Sequence, residues 1–108
     1  MTMTDPLFSI QLGDEGYLVN PEDWNQDIAA AMAERENIEL TEAHWEVIHF
    51  MRAWYDEHGV AASPRDVGNF LRRRRLPRSE ITRLFPYGYV QQACKIAGMK
   101  RPRSWSTG

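Results

Sequence analysis

Arg83-Leu84-Phe85-Pro86-Tyr87-Gly88-Tyr89-Val90-Gln91-Gln92-Ala93-Cys94-Lys95-Ile96-Ala97-Gly98 is the stretch from which the fold of this 108-residue chain is read. A short helix expected from residue 78 to about residue 84 leads into it. From Tyr87 the pattern turns helical again and runs to Ala97. Gly98 then supplies the residue type that closes helices in a left-handed conformation. Val90, Ala93, Cys94 and Ala97 fall on one face and form an apolar stripe. A striped helix needs neighbours to bury it, and the rest of the chain supplies them.

Toward the N-terminus, Ser63-Pro64-Arg65-Asp66 reads as a helix start, with a cap, a proline and a first-turn carboxylate. That helix packs Val67, Phe70 and Leu71 and leaves through four arginines before Pro77. Thr41 opens a longer helix that stops near Gly59 and carries Trp45, Ile48, Phe50, Met51, Trp54 and Tyr55. Apolar residues cover much of its circumference, which predicts the most buried helix of the fold. Asn20 as N-cap, with Pro21 first and Glu22 and Asp23 behind it, predicts a helix reaching Arg35 and burying Trp24, Ile28, Ala31 and Met32. Phe8-Ser9-Ile10-Gln11-Leu12 alternates like a half-buried strand, and after a turn over 13–16 Tyr17-Leu18-Val19 pairs back. Two strands alone are marginal in water, so this hairpin must lie on the helices. The expected fold is mainly α (α+β): an N-terminal β-hairpin packed on a bundle of about five helices over residues 1–98, and a flexible C-terminal arm over 99–108.

A chain of this length makes one domain, and it buries roughly 65% of its unfolded surface without needing disulfide or metal staples. Its single cysteine cannot form an internal disulfide, so a reducing cytoplasm is the expected compartment. Residues 1–10 contain no Lys or Arg and no long apolar run, so no signal peptide is expected. The small apolar block over 28–33 is far too short to span a bilayer. The net charge of −2 hides a strong polarity. Residues 1–58 hold 13 Asp/Glu against Arg35 and Arg52, whereas residues 59–108 hold 11 Lys/Arg against Asp66 and Glu80. Two readings stand: an anionic partner meets the second half, or the halves attract each other across the fold.

The 83–98 stretch, with Leu40-Thr41-Glu42-Ala43-His44-Trp45-Glu46-Val47 and the hairpin, resembles the DsrC/TusE family of small sulfur-relay proteins. The resemblance implies a hairpin-plus-helical-bundle fold. It also implies a cytoplasmic, non-catalytic protein that docks on sulfur-transfer or sulfite-reductase-type partners and needs no cofactor. DsrC-type members are described as partners of dissimilatory sulfite reductase, and TusE-type members as relays of persulfide sulfur toward transfer-RNA thiolation. Family members end in an arm whose penultimate cysteine carries sulfur, and some have a second cysteine eleven residues earlier. Cys94 matches the earlier position, and eleven residues on stands Trp105. The carrier cysteine is absent, so the expected role is that of an assisting or regulatory paralogue with Cys94 at most an auxiliary thiol.

Cys94 itself reads two ways: a small buried hydrophobe, or a thiolate aided by Lys95 and the basic arm. In the arm, Lys100, Arg101, Pro102, Arg103 and Trp105 form a docking candidate, since proline limits the entropy lost on binding and Trp and Arg favour interface centres. Arg72, Arg73, Arg74 and Arg75, with Arg78 and Arg83, make the densest basic patch. It suits an acidic protein partner or, as the alternative, a nucleic-acid-binding regulator contacting phosphates through residues 72–78. His44, His49 and His58 lack the spacing that grips a metal from one helix, no glycine-rich phosphate loop occurs, and no carboxylate pair stands out as an acid–base couple.

Overall fold

Among the described residues, four α-helices and one π-type helix follow one another: α1 (Gln26–Arg35), α2 (Glu42–His58), α3 (Pro64–Arg73), α4 (Glu80–Leu84) and the π-helix Tyr89–Cys94. A 3-10 turn, Pro21–Asp23, precedes them. The computed structural model describes residues 12–13 and 17–99, with the backbone alone at 89–91. Most of the first expected strand, the turn over 14–16 and the arm over 100–108 lie outside the described residues. Among the described residues there is no strand, so the expected hairpin is not carried by them. One antiparallel bridge pairs Leu12 with Leu18, and the Gly13 N–H donates to the Tyr17 carbonyl at 2.7 Å. No described helix is long and apolar enough to cross a membrane.

The first helix starts later than its sequence pattern predicts. Asn20 precedes only a single 3-10 turn, with no capping bond from its side chain, and the chain is extended at Trp24 (φ −71°, ψ 143°). Asn25 is the true cap of α1, its side chain accepting from the Ile28 N–H at 2.9 Å. The break turns Trp24 away from the helix and toward the far end of the chain. Ala29 and Ala33, rather than Ala31, join Ile28 and Met32 in the core.

Helix α2 runs from Thr41 to a left-handed Gly59, as the sequence predicts, but it does not hold the most buried stretch. It buries His44, Val47, Ile48 and Met51, while Trp45, Phe50, Trp54 and Tyr55 remain half-buried along its flanks. The most buried stretch is the end of the last helix. There Gln92, Ala93, Cys94, Ile96, Ala97 and Met99 are all buried, and Lys95 reaches the surface in part. Over residues 92–99 burial is wider than the narrow stripe visible in the sequence. The winding of this helix differs as well: it begins at Tyr89, after Gly88 at φ 111°, and widens to a π-turn through Cys94. Ahead of the helix, the Tyr87 N–H donates to the Gln92 side chain at 3.0 Å.

Candidate functional site

The functional geometry centres on the end of the last helix, where the arm begins. The Met99 N–H donates to the Cys94 carbonyl at 2.9 Å and the Gly98 N–H to the Lys95 carbonyl at 3.1 Å, with Gly98 left-handed at φ 79°. These two bonds are the Schellman arrangement, which satisfies carbonyls that a helix end otherwise leaves open. Glycine is required here twice over, because a Cβ on Gly98 would sit 2.4 Å from the Trp24 ring.

Trp24 is one half of a clamp. Its indole N–H donates to the Ile96 carbonyl at 2.8 Å, and the Arg52 guanidinium lies 4.6 Å from the centre of its ring. From α2, Arg52 also donates to the Ala97 carbonyl and to the Pro21 carbonyl, each at 3.0 Å. Burial pulls the Arg52 guanidinium below its ordinary pKa, while Tyr55, Asp56 and Glu22 act in the opposite sense. One cation thus ties α2, the 3-10 turn and the helix end together. The helix end at residues 96–97 is thereby held from two sides.

A second network fixes the face beside it. Gln92 accepts from Tyr87 N–H and donates to Glu36 Oε1 at 3.1 Å, and Lys95 meets the other Glu36 oxygen at 3.6 Å. The Lys95 ammonium also lies 5.1 Å from the Tyr17 ring centre, so its charge is committed within the fold. On the opposite side, His44 Nε2 bonds the Leu84 carbonyl at 2.8 Å and its ring meets Phe85 edge-on at 5.3 Å. This pins the Leu84-Phe85-Pro86 corner onto the start of α2.

Cys94 is fully enclosed, at 0% exposure. Of the two readings drawn from sequence, its packing is that of the small core residue. Lys100, Arg101, Pro102, Arg103 and Trp105 lie outside the described residues. The arginines of the basic patch do not act as one cluster. Arg74 is bound by Glu46 at 2.6 Å and lies over Phe70, and Arg83 is bound by Glu80. The Arg83 hydrogen bond holds the Glu80 carboxyl below its ordinary pKa. Arg72, Arg73, Arg75 and Arg78 are exposed and make no ion pair among the described residues.

Sequence reasoning missed Trp24 as a clamp, Arg52, Glu36 and Gln92. Arg52 did leave a trace: it is one of only two cations in the acidic first half, and it sits within the apolar run of α2. Glu36 and Gln92 left none, since 56 residues separate them.

A family model described as DsrC-like protein matches residues 8–105. A sulfurtransferase TusE homolog of Haemophilus influenzae is 36% identical over 97 residues, covering 86% of this chain and 89% of the relative. The sulfurtransferase TusE of Yersinia pseudotuberculosis is 39% identical over 92 residues, covering 82% of this chain and 85% of that one. The crystal structure of the oxidized gamma-subunit of the dissimilatory sulfite reductase (DsrC) from Archaeoglobus fulgidus superposes with a TM-score of 0.81 at 31% identity, covering 90% of this chain and 92% of that one. The solution structure of Allochromatium vinosum DsrC gives a TM-score of 0.77 at 35% identity over 90% of each chain.

Proposed function

The chain belongs to the DsrC-like family of sulfur-relay proteins, and we propose that it works there as a non-catalytic docking member, assisting or regulating sulfur transfer between cytoplasmic partner proteins. The observation that carries this reading is the pairing of a held helix end with an enclosed thiol. Trp24 and Arg52 hold the helix end that precedes the arm, while Cys94 beside it has no exposed surface. At the position where the family carries its arm cysteine, this chain has Trp105, preceded by Arg103 and Ser104. In this reading the arm, with Lys100, Arg101, Pro102, Arg103 and Trp105, presents an aromatic and cationic anchor to a sulfur-transfer or sulfite-reductase-type partner. The same proposal includes a hairpin at the N-terminus, with which the isolated Leu12–Leu18 bridge is compatible.

Cys94 enters as an auxiliary thiol that takes sulfur only when its helix opens. Intact mass after incubation with a low-molecular-weight persulfide donor tests this, with Cys94→Ser alongside. The folded chain is expected to gain no sulfur in the time that the urea-unfolded chain gains one atom. A rapid gain by the folded chain that vanishes in Cys94→Ser would replace the docking reading with a carrier one.

A further inference from the structure

A groove of about 630 Å³ runs between the start of α3 and the corner that follows α4. Pro64, Ile81, Phe85 and Pro86 give it an apolar floor, and Arg78 and Tyr87 stand along its rim. Ser79 and Thr82 also line it, and hydroxyls of this kind can bond the backbone of an extended segment. Tyr87 is 72% exposed, whereas the aromatics along α2 and α3 are half-buried. An aromatic ring left in water beside an apolar floor is the residue type that anchors protein interfaces.

Arg78 is set in place for a ligand. Its stem lies flat across α3 at Gly68, where an added Cβ would come within 3.2 Å of Arg78 Cγ and Cδ. Neither carboxylate of the second half is free to answer it: Asp66 is bonded to Ser63, and Glu80 is bound by Arg83. Arg78 is thus a cation lining the groove with no carboxylate bound to it among the described residues. A cation left so selects an acidic occupant. A polynucleotide fits less well. The rings along α2 and α3 are already paired, Phe50 stacked on Phe70 at 4.5 Å and Trp54 tilted against His58 at 4.1 Å, so Tyr87 has no second open ring from these helices with which to form a run of stacking platforms for successive bases.

We propose that this groove takes an acidic segment of a partner protein, with a carboxylate on Arg78 and an apolar side chain against Tyr87. The inference rests on the docking half of the proposed function and not on the thiol. Selection of a random peptide display library on the full chain tests it, followed by titration of the enriched peptides by fluorescence anisotropy. Enriched peptides are expected to combine Asp or Glu with an aliphatic or aromatic residue. Arg78→Gln and Tyr87→Ala are each expected to weaken them about tenfold, the scale of an interface hot spot. Gly68→Ala is the sharper variant. It is expected to weaken binding by displacing the Arg78 stem while the thermal midpoint holds or rises, because alanine is the better helix former. Enriched peptides without acidic residues, or affinities unchanged in all three variants, would overturn the proposal. So would a single-stranded oligo-uridine that outcompetes the peptides at the same salt. None of these results bears on sulfur uptake by Cys94, so the groove and the thiol fail separately.

Discussion

His44 engages both ring nitrogens, and their partners fix its tautomer. The Leu84 carbonyl can only accept, so Nε2 carries the proton; Nδ1 is left to accept from the Thr41 N–H at 3.1 Å. Desolvation lowers the pKa of the ring below 6.5, with the Arg83 charge adding to the shift and the Leu84 bond opposing it. The unfolded chain therefore binds a proton here more readily than the folded one, and stability rises with pH across the window at and below 6.5. Denaturant midpoints are expected to fall as pH drops from about 7.5 to 5.5, and His44→Gln to flatten that slope while costing about 1 kcal/mol at neutral pH. An equal slope in the variant would show that another group sets the acid limit. Part of this site was legible beforehand. His44 stands three residues after the Thr41 cap, where a side chain commonly reaches back to the cap N–H. Its second bond, to a carbonyl 40 residues away, was not. Gly98 divides in the same way: its role as a helix stop is local chemistry, but its contact with Trp24 depends on the whole fold.

Three helices close with the same pair of bonds but with different residues in the left-handed position: Asn37 (φ 59°), Arg75 (φ 62°) and Gly98 (φ 79°). Arg75 is the strained choice, because its Cβ crowds the backbone where glycine has none. The Leu76 N–H still reaches the Leu71 carbonyl at 2.9 Å, so the closure forms despite the strain. Arg75 is exposed and makes no ion pair among the described residues, so removing its side chain forfeits little. Arg75→Gly is expected to raise the unfolding free energy by about 1 kcal/mol, read from urea midpoints. A lowered midpoint would mean that the Arg75 side chain holds a contact outweighing the strain. The bounds of α2 and α3 were legible because Thr41, Gly59 and Ser63-Pro64 act through their own neighbours. The start of α1 was not. Asn20-Pro21 and Asn25 both offer cap chemistry, and the choice between them is made by where Trp24 must go. Nor was the π-turn legible, since the same apolar spacing serves either winding.

At the scale of the molecule, the observed use of the charge polarity is within the fold. Arg74–Glu46 and Lys95–Glu36 join the acidic and basic halves, while Arg72, Arg73, Arg75 and Arg78 stay unpaired among the described residues. Pairing across halves accounts for only part of the basic excess, and the remainder faces outward. The arm adds Lys100, Arg101 and Arg103 to that excess, beyond a helix end that Trp24 and Arg52 hold beside the enclosed Cys94. Eleven residues of extended chain reach roughly 36 Å, so contour length does not keep residue 105 from residue 94. What limits their meeting is the burial of Cys94, at 0% exposure. Trp105→Cys separates these two factors. With oxidised glutathione as oxidant, the variant is expected to form one internal disulfide to Cys94 through a mixed-disulfide intermediate, releasing reduced glutathione. The exchange step is expected to be slow in buffer and faster in low urea, because the π-helix must open before the enclosed sulfur can react. The bond should be absent when Cys94→Ser is combined with Trp105→Cys. If the glutathione adduct at residue 105 instead persists even in low urea, the arm does not return to its own helix. Its anchor would then be available only to a partner.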